Sequence, residues 1–207
     1  MNKFRLNGIK YELILRKLGN GFVFLRDDKG NPIISVGPHW MGFLFTICLE
    51  IVGFYMMLNM LNVRSQEQKT LEYTILMINI LKCFDFLMLV LSLIFLMKVG
   101  LKDPGYVLKK ILINNNYDVE LDMENNILLH KSNQHRENNN NFCDICSITQ
   151  PTNAEHCYEC GLCVLMMDHH CPWMGRCVAQ NNMYDFIIFN ILWVIHLSSF
   201  ALSAIFL

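Results

Sequence analysis

CDICSITQPTNAEHCYECGLCVLMMDHHCPWMGRC, residues 143–177, is followed closely by FIIFNILWVIHLSSFALSAIFL, residues 186–207. The first segment concentrates seven cysteines (143, 146, 157, 160, 163, 171, 177) and three histidines (156, 169, 170). The second contains no Asp, Glu, Lys or Arg and includes Asn190 and His196. Its length suffices to cross a hydrocarbon core of roughly 30 Å as a helix. Metal-ligand spacing and membrane-spanning apolarity therefore stand side by side.

Two further apolar blocks lie upstream. Trp40–Leu61 carries Glu50 as its only charge. Tyr73–Met97 is interrupted by Lys82 and Asp85. Three apart on a helix, these two are expected to share a face and partly neutralise each other. Lys82 lies in the first half, where its stem can snorkel toward the interface. Over all 207 residues, 53% are hydrophobic and 17% charged, against about 25% charged in ordinary globular domains; mean hydropathy is +0.29. That balance excludes a soluble enzyme, a disordered chain and a small secreted disulfide scaffold. A net charge of −1 gives no reason to expect nucleic acid. The expected fold class is an α-helical integral membrane protein, a multi-span bundle with a cysteine-rich module between spans 2 and 3.

Flanking charges set the expected orientation. Lys3, Arg5, Lys10, Arg16, Lys17, Arg26 and Lys29 precede the first span, and Lys98, Lys102, Lys109 and Lys110 follow the second. The link between spans 1 and 2 has only Arg64 and Lys69. The positive-inside rule then predicts a cytosolic N-terminal segment (1–39), transmembrane 1 (40–61), a lumenal link (62–72) and transmembrane 2 (73–97). A cytosolic linker (98–141), the cysteine-rich module (142–185) and transmembrane 3 (186–207) follow. No signal-peptide core precedes span 1, so that span is expected to be the targeting element. Cys48 and Cys83 fall in spans and read as packing residues. The other seven lie on the reducing side, where metal binding or catalysis is the better expectation than disulfides.

The stretches between carry weaker signals. Phe22–Leu25 and Ile33–Val36 flank Asp27-Asp28-Lys29-Gly30-Asn31, which predicts a β-hairpin. Asp103-Pro104-Gly105 is a turn signal. Ile113–Asn141 is asparagine-rich and reads as a flexible insertion. Glu50, Asn190 and His196 are expected to make hydrogen bonds between helices rather than to line an acyl cavity.

C-x₂-C pairs present two thiolates to one tetrahedral zinc, and structural sites take four ligands each. Ten candidate donors fill two such sites and leave two over. In the run Asp168-His169-His170-Cys171, neighbours in extended backbone face opposite ways and residues two apart share a face. His169 can therefore face Cys171 while His170 turns toward a metal. Cys171 is then either a base-activated nucleophile, with Asp168 orienting the imidazole, or one more thiolate ligand. Spacing leaves both open.

The module resembles the DHHC-type (Asp-His-His-Cys) protein S-acyltransferases, or palmitoyltransferases, from Cys143 to Phe186, including the tetrad, Pro172-Trp173 and Asn182. Asp103-Pro104-Gly105 is similar to the motif these proteins carry after their second span. Gly19-Asn20, the hairpin and Gly37-Pro38 are similar to the region many members carry before the first. The resemblance implies one zinc held by Cys143, Cys146, His156 and Cys163, and a second by Cys157, Cys160, His170 and Cys177. It implies Cys171 as nucleophile, His169 as base and Asp168 as its partner. It further implies ping-pong transfer from a long-chain acyl-CoA such as palmitoyl-CoA to cysteines of cytosolic or membrane-associated proteins, in an endomembrane such as Golgi or ER. Placing Cys171 and Trp173 close to the third span suits a reaction whose acyl chain rests in the bilayer.

Departures from the family pattern are Gln150 and Asn153 where basic residues are usual, Met174-Gly175-Arg176 for Val-Asn-Asn, and Ala179 for glycine. The two missing charges are expected to weaken contacts with an anionic donor, and none of these positions is expected to touch a ligand or the tetrad. Members carry a fourth span beyond the point where this sequence stops, so a truncated chain is expected. The alternative from another class is a catalytically inactive, membrane-tethered zinc scaffold. A zinc deaminase is excluded, because the P-C-x-x-C that must follow H-x-E in its signature is missing.

Overall fold

The computed structural model describes residues 2–6, 9–28, 30–67, 72–108, 119–121, 127–129 and 142–206. The expected hairpin is present as β3 (Gly21–Asp27) and β4 (Pro32–Val36), with Phe22 opposite Val36 and Val23 opposite Ser35. Its turn closes because Asp27 accepts from the Asn31 backbone N–H at 2.6 Å and from the Asn31 amide at 2.9 Å. Two strands escaped the sequence reading: β1 (Asn2–Leu6) and β2 (Ile9–Leu18) extend the hairpin into a four-stranded antiparallel sheet, ordered β1-β2-β3-β4. Charges are interspersed through both strands, so their sequence carries no clean apolar alternation.

Among the described residues, three helices are long and apolar enough to cross a membrane: α1 (Trp40–Glu67), α2 (Glu72–Leu101) and α3 (Met183–Phe206). α1 and α2 run past the apolar blocks, since nothing in Asn62–Glu67 or in Lys98–Leu101 forces a stop. α2 ends where Pro104 approaches; the proline ring disfavours helical backbone in the residue before it. Large apolar side chains such as Phe45, Val52, Phe86, Ile191 and Val194 are exposed on the helix surfaces, as suits a bundle whose outer solvent is lipid. Met57, Leu61 and Ile78 form a buried cluster at one end. At the other end Phe43, Leu96, Val99 and Phe189 close around Cys171, Met174 and Val178 of the module.

Polar groups within the helices behave in three ways. The Ser92 hydroxyl donates to Glu50 Oε1 at 2.8 Å, an α1–α2 bond of the expected kind. Asn190 instead donates to Phe186 O of its own helix at 2.7 Å, while the His196 ring packs on Phe54 with centroids 6.5 Å apart. The expected pairing of Lys82 with Asp85 is corrected. Lys82 Nζ donates to Asn62 Oδ1 of α1 at 2.6 Å, and Asp85, fully buried, turns toward His196 and Ser199 of α3. A spacing of three displaces side chains by about 60° around the axis, enough to send the two to different neighbours.

The asparagine-rich insertion contains a short ladder, β5 (Val119–Leu121) against β6 (Ile127–Leu129), built on two short apolar stretches that the surrounding asparagines masked. The rest of the insertion lies outside the described residues.

The N-terminal sheet and the module meet at the same end of the helices. Ile34 bridges Lys102, and the Asn20 backbone N–H donates to Cys160 O at 2.8 Å. Asp103 Oδ1 accepts from the N–H groups of Gly105 and Tyr106, closing the expected turn, with Gly105 at φ +118. The turn hands the chain to the module: Gly105 O accepts from Leu165 N–H, and Val107 N–H donates to Cys163 O, both at 2.9 Å. Asn182, fully buried before α3, accepts from Ala179 N–H and donates to Cys177 O and Val99 O. One amide thus ties module, α2 and α3 together. Asn182→Ala is expected to destabilise the chain by about 1–3 kcal/mol, since it strands buried backbone groups. A lower midpoint in thermal unfolding of the detergent-solubilised protein checks this.

Candidate active site and metal centres

The module is three two-stranded hairpins: β7 (Phe142–Cys143) with β8 (Ile148–Thr149), β9 (Ala154–Cys157) with β10 (Leu162–Leu165), and β11 (His169–Cys171) with β12 (Arg176–Val178). The first two begin the same way. Cys143 Sγ accepts from Cys146 N–H and Cys157 Sγ from Cys160 N–H, each at 3.4 Å. The next residue then turns left-handed, Ser147 at φ +51 and Gly161 at φ +67. Each knuckle aims two sulfurs into one concavity.

Strand alternation divides the donors. His156 and Cys163 are cross-strand partners, as are His170 and Cys177. Consecutive strand residues point to opposite faces, so β9 delivers His156 to one group and Cys157 to the other. Two sets result, Cys143–Cys146–His156–Cys163 and Cys157–Cys160–His170–Cys177, with all donor atoms of each within 4.8 Å of one another. In the first, His156 Nδ1 lies 3.5, 3.3 and 3.8 Å from the sulfurs of Cys143, Cys146 and Cys163. In the second, His170 Nδ1 lies 3.5, 3.4 and 3.6 Å from those of Cys157, Cys160 and Cys177. Ligands about 2.1–2.3 Å from a tetrahedral zinc would stand roughly 3.4–3.8 Å apart. Both groups could hold a metal ion.

The electrostatics point the same way. Burial, with the neighbouring thiols of Cys143 and Cys146 and against the pull of Gln150, pushes the Cys163 thiol up to about 12. Burial works against the His170 imidazolium, yet the sulfurs of Cys157 and Cys160 raise it to about 9. Crowded soft donors of this kind lack a counter-charge that a divalent cation supplies.

His169 and Cys171 belong to neither group among the described residues. They flank His170 and project from the other face of β11. Asp168 Oδ2 lies 2.7 Å from His169 Nδ1, and the imidazole stands edge-on to Phe186, centroids 5.6 Å apart. Cys171, 7% exposed, sits in the apolar cluster with Phe43, Leu96, Val99 and Phe189. Trp173 is exposed, tilted against Phe45, and its carbonyl accepts from Thr46 of α1 at 3.0 Å. Gly42 makes that approach: a Cβ there would lie 2.1 Å from Pro172 O.

Three residues gained roles that the sequence reading did not assign. Gln150 Nε2 donates to Cys163 Sγ at 3.3 Å, which corrects the expectation that the departures touch no ligand. Arg176, fully buried and opposite Cys171 on the hairpin, donates to Lys102 O and to Ser35 Oγ. It pins the hairpin to the end of α2 and to β4. His39 reaches His170 from just before α1. A lone arginine amid apolar neighbours was the available signal for Arg176; His39 had none, because its partner is 131 residues away.

Residues 136–207 match the family model described as DHHC palmitoyltransferase. Palmitoyltransferase ZDHHC15 of Xenopus laevis is 48% identical over 48 residues, 23% of this chain and 14% of that protein. Palmitoyltransferase ERF2 of Kluyveromyces lactis is 31% identical over 116 residues, 52% of this chain and 33% of that protein. Probable protein S-acyltransferase 3 of Arabidopsis thaliana is 50% identical over 48 residues, 23% of this chain and 12% of its own length. Over residues 136–207, which include the cysteine-rich module, the chain is therefore similar to DHHC palmitoyltransferases. It spans no more than a third of the length of each of these relatives.

Because Cys163 holds its proton far above neutral pH in the absence of a cation, metal must displace protons to bind. Zinc loading of the stripped chain is expected to release protons, and apparent affinity to fall as pH is lowered. Chelator competition at a series of pH values measures both; a pH-independent affinity would contradict thiolate ligation.

Proposed function

We propose that this chain is a membrane-embedded protein S-acyltransferase, transferring a long-chain acyl group from acyl-CoA to cysteines of other proteins through Cys171. What carries the reading is one strand: β11 sends His170 toward three sulfurs and leaves His169 and Cys171 on the opposite face, outside both donor groups.

Asp168 accepts from His169 Nδ1–H, which fixes the neutral tautomer and leaves Nε2 with its lone pair. Nε2 takes the Cys171 proton, and the thiolate attacks the thioester carbonyl of acyl-CoA. The bond to the CoA sulfur breaks, CoA leaves as thiol with the proton returned by His169, and the acyl group rests on Cys171. A substrate cysteine, deprotonated in turn by His169, attacks that thioester; its sulfur keeps the acyl group and Cys171 regains its proton. The apolar residues around Cys171 support an acyl chain held away from water. Each buried CH₂ contributes about 0.8 kcal/mol.

In this reading Cys143, Cys146, His156 and Cys163 hold one zinc, and Cys157, Cys160, His170 and Cys177 the other. Zinc held there would neutralise the crowded thiolates and couple the module's folding to metal. The N-terminal segment and module face the cytosol of an endomembrane, supported by the Lys and Arg that flank α1 and follow α2.

Cys171→Ser is expected to abolish hydroxylamine-labile labelling by radioactive palmitoyl-CoA while two zinc ions per chain remain. His169→Ala is expected to slow labelling by about 10²- to 10⁴-fold. Undiminished labelling of Cys171→Ser would overturn the enzyme reading, and loss of zinc from it would favour a scaffold.

A further inference from the structure

The residue that leads into α1 touches a zinc-site histidine. His39 Nδ1 lies 2.9 Å from His170 Nε2, with the rings edge-on at 70° and centroids 5.0 Å apart. His170 uses its other nitrogen, Nδ1, toward the sulfurs of Cys157, Cys160 and Cys177. A metal-bound Nδ1 leaves the proton of a neutral imidazole on Nε2. His170 is then the donor and His39 Nδ1 the acceptor. The proton of His39 must in turn sit on Nε2, which lies 3.6 Å from Glu159 Oε2, in the turn of the Cys157–Cys160 knuckle. The chain of contacts runs from carboxylate to imidazole to ligating imidazole.

We infer that His39 is a positioning residue of the second metal centre: it accepts from His170 and fixes that ligand's tautomer and ring plane, with Glu159 orienting His39. Nothing in the local sequence of the module supplies this partner. The backbone around His39 is held by contacts other than the one to His170. Its carbonyl accepts from Gly42 N–H at 2.9 Å as α1 begins, and Gly37 lies so close to Gly175 O that a Cβ would stand 2.0 Å from it. Asn20 grips the same knuckle from the other side, its amide donating to Glu159 O at 2.9 Å. The segment before the first span therefore completes the metal site. Outer partners of ligating histidines typically contribute about 10- to 100-fold to metal affinity.

The inference rests on the reading that Cys157, Cys160, His170 and Cys177 bind zinc, and its readout is metal rather than acyl transfer. The full chain, purified in detergent with zinc bound, is challenged with a colorimetric chelator, and the release of each ion is followed. His39→Ala is expected to release one of two ions about 10- to 100-fold faster and leave the other at the wild-type rate. The retained ion, in the first group, reports that the module is still folded. His39→Gln, whose amide oxygen can accept from Nε2, is expected to recover part of the loss, and Glu159→Gln to show a smaller one. Wild-type release of both ions from His39→Ala would overturn the inference while leaving the zinc reading intact. Equal acceleration of both ions would overturn it too, because that is the signature of general unfolding. A wild-type chain binding fewer than two ions would overturn the zinc reading and this inference together.

Discussion

Side chains alternate across a β-strand, and in this module that constraint decides what each residue can be. On β9 it separates His156 from Cys157, so one four-residue strand feeds two donor groups. On β11 it separates His170 from both of its neighbours. A metal group drawing on His170 therefore cannot also draw on Cys171 without breaking the pleat. A helix in the same place would put residues three and four apart on one face and would not set His169 and Cys171 opposite the histidine between them.

The hairpins are too small to hold this arrangement alone, and the surrounding structure braces them. Arg176 reaches across to β4 and the end of α2, Asn182 joins α2 to α3, and the turn at Asp103 stitches the linker to β10. The buried cluster around Cys171 draws its side chains from all three helices as well as the module. Position relative to the helices is thus a property of the whole assembly: the thiol sits at the helix ends because α1, α2 and α3 each contribute a wall there.

Much of this was legible in advance. Three apolar blocks, a hairpin around Gly30, a turn at Pro104 and ten soft donors at ligand spacing all depend on local pattern, and local pattern is what a sequence displays. The misreadings share one cause. β1 and β2 form because a neighbouring strand is available, not because their composition demands it. Lys82 and Asp85 look like a pair until α1 and α3 offer each a different partner. Gln150 and Arg176 looked like departures clear of the ligands until folding brought Cys163 and Ser35 within reach.

The amino-acid sequence by itself determined three apolar blocks of membrane length and a module with enough ligands for two metal groups, since hydropathy and donor spacing are short-range properties. Only the tertiary structure decided which donors group together around His156 and His170, that Cys171 lies among apolar residues from three helices, and that His39 stands against His170. Those outcomes depend on contacts between residues far apart in the chain, which become neighbours only when the sheet, helix ends and hairpins pack at one end of the bundle.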